Sequence, residues 1–242
     1  MLILLAALLL FPVIAPTTPS TGEPSYLYRV TLVRATPGEY RTVLAHFKDE
    51  QARLAAAGEP TSFTMRHTQG DHWDVMVIYP MESYAAYFTP ERIAARTQAH
   101  AGWAEKNTDL VAWQEDLFVM GPSLDEVQQR FEGMAFYHVE MFEALPGKHA
   151  ELYHQREMEN RYLAALDRPQ NLIFVRSHGG STDLFTLGFY RDLKHFAESA
   201  DISLEDEDRA AKSAGFDDVW AISPYLRSLI SRHHDTLAVA YD

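Results

Sequence analysis

The 242-residue chain contains no cysteine. That absence removes disulfides, thiolate nucleophiles, cysteine-ligated zinc or iron–sulfur sites and a lipid-modified N-terminal cysteine. Positive charge is scarce, with 21 Lys+Arg against 34 Asp+Glu and a formal net charge of −13. A protein that tracks phosphates or docks on anionic lipid needs a basic footprint. Nucleic acid and anionic membrane surfaces are therefore excluded as partners. No HExxH motif, G-x-S-x-G elbow, P-loop or Rossmann fingerprint is present. The sequence thus carries no signature of a metal ligand set, an acyl-transfer serine or a bound dinucleotide. No apolar run reaches the roughly 20 residues of a bilayer span. The apolar run at residues 2–14, LILLAALLLFPVI, suits the core of a secretory signal peptide, although no Lys or Arg precedes it. The Pro/Thr-rich stretch 16–24 reads as a linker. Residues 1–25 are therefore read as signal peptide or N-terminal anchor plus linker, and the mature protein as exported, periplasmic or extracellular.

What the chain does contain is one pattern written twice. Tyr28-Arg-Val-Thr-Leu-Val33 precedes Pro37-Gly38, and Tyr137-His-Val-Glu-Met-Phe142 precedes Pro146-Gly147, both at an offset of 109. Phe63 to His67 matches Phe174 to His178, and Tyr79 matches Tyr190, at an offset of 111. Asp116-Leu-Phe-Val matches Asp235-Thr-Leu-Ala at 119. Offsets that grow in small steps are what loop insertions produce. The boundaries read as repeat 1 at 26–122, a linker at 123–133 and repeat 2 at 134–242. Each repeat has a period-2 strand, a Pro-Gly turn opening a helix, a strand hairpin, a second helical region and a last strand. The order βαββαβ is the ferredoxin-like arrangement, whose sheet carries helices on one face and needs a cover on the other.

On this element order and duplication, the chain resembles a tandem member of the dimeric α/β-barrel superfamily, which includes antibiotic-biosynthesis-type monooxygenases, haem-degrading enzymes, the chlorite dismutase group and NIPSNAP-type proteins. The resemblance covers residues 26–242. It implies an α+β fold in which two ferredoxin-like repeats form the barrel within one chain. It also implies a small-molecule ligand, an oxidation that needs no organic cofactor in some relatives, haem in others, and homo-oligomers. No catalytic motif of the superfamily transfers residue by residue. Whether the chain is an enzyme, a non-catalytic ligand- or haem-binding protein, or an interaction module stays open at this point.

The repeats differ where a site would form. Residues 26–122 carry a net charge of −3 and residues 134–242 a net of −7. On the first helix, repeat 1 has Tyr40, Val43, Leu44, Phe47, Gln51 and Leu54 on one face, whereas repeat 2 has His149, Leu152, Tyr153, Arg156, Asn160 and Leu163. On the third strand, at the 111 offset, Val75 is replaced by Thr186 and Val77 by Gly188, while Tyr79 is matched by Tyr190. Polar helix residues facing a thinned strand predict a pocket in repeat 2, with repeat 1 mainly scaffold. His149, Tyr153, Arg156, His178 and Tyr190 are the candidates to position a substrate and move protons. Asn160, Thr186, Gly188, His138 and Glu140 are the candidate ligand contacts, with His138 and Glu140 expected in the inter-sheet space. His149, His178 and His138 are the histidines available to a haem, and nothing in the sequence chooses among them. His233 and His234 are expected in a turn or on a helix flank.

Overall fold

The computed structural model describes residues 24–101 and 109–241. The apolar run at 2–14 lies outside them. Among the described residues no helix is long and apolar enough to cross a membrane.

Repeat 1 contributes β1 (Tyr26–Ala35), α1 (Tyr40–Ala56), β2 (Phe63–Gln69), β3 (Val75–Glu82), α2 (Tyr84–Tyr87), α3 (Pro90–Ala99) and β4 (Val111–Gly121). The connection that reads as a linker at 123–133 is itself helical, α4 (Leu124–Phe131), with the Ser123 side chain accepting from the Glu126 amide at its N-terminus. Repeat 2 contributes β5 (Phe136–Ala144), α5 (His149–Ala165), β6 (Leu172–Gly179), β7 (Leu184–Tyr190), α6 (Leu193–Ala197), α7 (Leu204–Ala214), α8 (Ile222–Arg227) and β8 (Ile230–Ala240). Glu205, Asp206 and Glu207 of the acidic run fall in the first turn of α7, where negative charge complements the helix dipole.

The eight strands close into one barrel in the order β1-β3-β2-β8-β5-β7-β6-β4. Each repeat supplies four adjacent antiparallel strands. The seams are β2 against β8 and β4 against β6, so each repeat pairs its edge strands with the other repeat. Closure leaves no unpaired sheet edge.

Period-2 alternation decides what fills the barrel. Tyr28, Val30 and Leu32 of β1, Tyr137, Val139 and Met141 of β5, and Phe185, Leu187 and Phe189 of β7 form one buried cluster with Met65, Met76, Ile78, Leu117, Val119 and Phe174. Phe174 stacks on Phe185 at 4.6 Å between ring centroids, and Tyr28 meets its edge at 5.6 Å. Each such side chain contributes about 1.5–3 kcal/mol by leaving water. Helix α4 plugs one end. Val127 is fully buried there, and Phe131 stacks on Phe63 at 4.5 Å and meets Phe189 at 5.0 Å.

Two glycines dock the seams. Gly70, after β2, has φ +121°, and a Cβ there would lie 2.2 Å from the Asp235 carbonyl oxygen on β8. Gly179, at the end of β6, has φ +78°, and a Cβ there would lie 2.4 Å from the Asp116 carbonyl oxygen on β4. The hairpin of each repeat thus rests on the last strand of the other, and only a residue without a side chain fits.

Candidate functional site

The residues of β5 that point away from the barrel are His138, Glu140 and Phe142. They face outward, toward α5, and not into the inter-sheet space expected from the sequence. The reason is competition for the interior, which takes the apolar set Tyr137, Val139 and Met141. On β7 the outward set is Leu184, Thr186, Gly188 and Tyr190, beside them in register.

Helix α5 lays Arg156 over this surface. The side chain is buried, with 1% of its area exposed. Its Nε donates to Gln155 Oε1 at 2.7 Å, its Nη1 to Glu140 Oε2 at 3.3 Å, and its Nη2 to Glu159. The guanidinium lies 4.9 Å from the centroid of Phe142. Thr186 Oγ1 donates to the same Glu140 oxygen at 3.2 Å. The other oxygen, Oε1, faces His233 Nε2 at 3.3 Å. His138 Nε2 stands 2.5 Å from Asp235 Oδ1. Four of the residues singled out from the sequence, Arg156, Glu140, Thr186 and His138, are therefore brought together.

The two buried carboxylates are pushed in opposite directions. Burial alone would raise Glu140, but the His233 hydrogen bond and the charges of Arg156 and His138 outweigh it and hold the carboxyl down at about 2. Burial raises Glu159, and the charge of Arg156 offsets only part of that because Glu140 opposes it. His138 is raised despite its burial, by the Asp235 hydrogen bond and the charge of Glu140. A pair of carboxyl groups whose environments separate them in this way can divide acid and base roles. Glu159 is also the more accessible of the pair, with 21% of its side chain exposed against 10% for Glu140.

The remaining predicted residues lie elsewhere. His149 is exposed and sits 3.5 Å from Asp183. It borders a cleft of about 240 Å³ lined by Leu152, Val175, Arg176, Ser177, Asp183 and Leu184. Tyr153 packs at the margin of the apolar cluster of Phe142 and Leu152. His178 is on the surface near the β4–β6 seam, with Nδ1 2.9 Å from the Tyr84 hydroxyl. Asn160 works as a latch: its Nδ2 donates to the Asn171 carbonyl, and its Oδ1 accepts the Asn171 amide, both at 2.8 Å. The space left by Gly188 is filled, since a Cβ there would meet Asn171 Oδ1 at 2.7 Å and the Tyr190 ring at 3.2 Å. Tyr190 turns toward Phe196, at 5.1 Å between centroids, and His195, at 5.6 Å.

Glu159, Gln155, Asp235 and His233 were not singled out from the sequence, yet the signal was there. The 109 offset aligns Glu159 with Glu50, and the 119 offset aligns Asp235 with Asp116. His233 belongs to strand β8, not to a turn, and period 2 puts it on the face of Asp235. Repeat 1 keeps polar groups at its equivalent positions and is not purely apolar scaffold. The Tyr79 hydroxyl donates to Glu50 at 2.8 Å, Arg29 lies 4.3 Å from the Tyr79 centroid, and Thr31 donates to Asp116 at 2.5 Å. The sharp difference is Phe47, buried where repeat 2 has Arg156.

As a possible metal site, His138, Glu140 and Asp235 offer one ligand atom each within 4.8 Å of one another. Haem fits less well. The cleft beside His149 is smaller than the roughly 300–1,000 Å³ that even drug-sized ligands occupy. His138 and His178 are engaged with Asp235 and Tyr84 respectively.

No protein-family model matches the chain, and no curated protein matches it. Solved structures do. An anthrone oxidase-like protein superposes with a TM-score of 0.60 at 10% identity, covering 91% of this chain and 93% of that one. A protein from Fusobacterium nucleatum assigned as a monooxygenase gives 0.58 at 7% identity, covering 90% and 93%. A protein assigned as a chlorite dismutase gives 0.51 at 12% identity, covering 90% and 95%.

Proposed function

For a chain that has the dimeric α/β-barrel fold in tandem form, we propose a small-molecule-binding role, with repeat 2 acting as a monooxygenase-like enzyme that needs no organic cofactor. The observation that carries this reading is Arg156, buried between Glu140 and Glu159 where repeat 1 buries Phe47. A buried ion cluster is weak evidence of stabilisation, because well-packed hydrophobic residues serve stability as well or better. Repeat 1 buries a phenylalanine at this helix position while keeping Glu50 and Arg29 nearby, so the arginine itself is not demanded by the fold. Its retention in repeat 2 supports a role beyond packing.

The chemistry suits a flat, acidic aromatic molecule lying against His138, Tyr190 and Phe196, with a methylene beside a carbonyl. Glu159, partly open to solvent, takes the proton from that carbon. Arg156 is a positioning residue that holds Glu159 and leaves Glu140 ionised. The carbanion formed is itself the reductant for dioxygen. Overall a CH2 group and O2 become a C=O group and water, so no cofactor is required for the electron balance. Anthrone is a suitable first probe, given the anthrone oxidase-like structural neighbour. Purified protein should convert it to the quinone in air. Glu159→Gln should lower kcat by roughly 10²–10⁴-fold with little change in KM. Binding without turnover in both proteins would leave a non-catalytic binding role, and neither binding nor turnover of aromatic ketones would remove the proposal.

We further infer export, on the apolar run 2–14 and the Pro/Thr-rich stretch that follows it. Fractionation of the tagged full chain tests it, and recovery with the cytoplasmic fraction would overturn it.

A further inference from the structure

We propose that His138, Glu140 and Asp235 form a binding site for a divalent transition-metal ion on the outer face of β5 and β8. The inference does not require the enzymatic reading above, although His138 and Glu140 belong to both. The three ligand atoms lie within 4.8 Å of one another. Strand pairing explains the convergence. Glu140 is directly opposite Asp235 in the antiparallel register, and His138 is two residues from Glu140 on the same face of β5. Ligands on paired strands of a closed barrel have little freedom to disperse. His138 Nε2 and Asp235 Oδ1, now 2.5 Å apart, need to separate by only about 1 Å to stand around an ion with bonds of ~2.0–2.2 Å.

The surroundings are those of a supported ligand set. Glu140 divides its two oxygens. Oε2 accepts from Thr186 and Arg156, while Oε1 is turned to His233. Carboxylates that ligate metals are oriented by hydrogen bonds of this kind. The local charge also favours a dication. Glu140, Glu159 and Asp235 bring three negative charges against the single positive charge of Arg156, a balance of −2 when His138 is neutral. Asp235 is 58% exposed, which gives an ion a way in and leaves room for water in the remaining coordination positions.

Repeat 1 is the internal comparison. Its residues at the same three places are Arg29, Thr31 and Asp116, and Thr31 donates to Asp116 at 2.5 Å. Only the aspartate is kept. Two changes, Arg to His and Thr to Glu, convert a site that cannot ligate into one nitrogen and two carboxylate ligands. Such a set suits zinc, cobalt, manganese or iron(II), and not calcium, which takes six to eight oxygens.

The test titrates chelator-treated full-length protein with zinc chloride and cobalt chloride by calorimetry, and follows cobalt by its visible absorption. The expected result is one ion per chain. His138→Ala and Asp235→Asn should each weaken binding at least about tenfold with an unchanged far-UV circular dichroism spectrum. Asp116→Asn, the repeat 1 counterpart, should leave affinity unchanged. Asp235→Asn changes no shape and sits at the surface, so it keeps the test valid if His138→Ala misfolds. Absence of saturable binding, or binding that both substitutions leave intact, would overturn the site.

Discussion

At the residue scale, Arg156 is the position where the two repeats disagree most, and it gives the sharpest stability prediction. Arg156→Ala leaves Glu140 and Glu159 buried without their cation and should cost about 3–5 kcal/mol in urea unfolding. Replacing the cluster by an uncharged set, Arg156→Phe with Glu140→Thr and Glu159→Gln, should lose much less, within about 1–2 kcal/mol of wild type. If the triple variant unfolds as readily as Arg156→Ala, charge at this position is a folding requirement and the functional argument fails. Glu50 gives a pH prediction in repeat 1. Burial raises its carboxyl above the ordinary 4.5, and the Tyr79 hydrogen bond and Arg29 charge recover only part. The folded chain therefore holds a proton there that the unfolded chain has released. That stabilisation is complete below the unfolded value and is lost as pH rises through the raised folded value. Glu50→Gln should flatten the dependence of the urea midpoint on pH across that window. A slope equal to wild type would mean Glu50 titrates normally.

At the element scale, the hairpins matter more than their exposure suggests. Gly70→Ala places a methyl group against the Asp235 carbonyl in a backbone region that L residues rarely adopt. A loss of roughly 1–3 kcal/mol is expected, read from the thermal midpoint. Gly38→Ala shares the positive φ but meets nothing within 4 Å, so it separates backbone strain from the seam contact. Equal losses in the two variants would show that the contact with β8 adds nothing. The strands and first helices were legible in the sequence because hydrophobic period and turn residues act locally. Gly179-Gly180-Ser181 announces its hairpin, and Tyr28, Val30 and Leu32 announce a buried strand face. The 123–133 segment was not read as a helix because its apolar residues Val127 and Phe131 pack against a barrel end that exists only after both repeats assemble. The site was legible in part for the same reason. Arg156, Glu140 and Thr186 stand out from a comparison of repeats. His149 and His178 share that polar character but are carried to other surfaces by the direction of α5 and the β4–β6 seam.

At the scale of the whole molecule, four strands from each repeat make one barrel with one interior, so the chain should unfold as a unit. Three of the four tryptophans, Trp73, Trp103 and Trp113, belong to repeat 1, whereas circular dichroism reports both repeats. Fluorescence and dichroism transitions in urea should coincide. A fluorescence transition displaced from the dichroism transition would show that the repeats unfold separately despite their shared seams.

The covalent joining of the repeats has a consequence for stoichiometry. In a barrel assembled from two identical chains, any side chain on the first helix occurs twice, related by a twofold axis, and a change at one copy is forced on the other. Here the same architecture carries phenylalanine at one position and arginine at its counterpart. Each barrel therefore holds one Arg156 cluster instead of two, which predicts one equivalent of ligand per barrel and no cooperativity between like sites. Duplication within the chain released the two halves from the symmetry of the pair, so repeat 2 can carry an arginine where repeat 1 packs a phenylalanine.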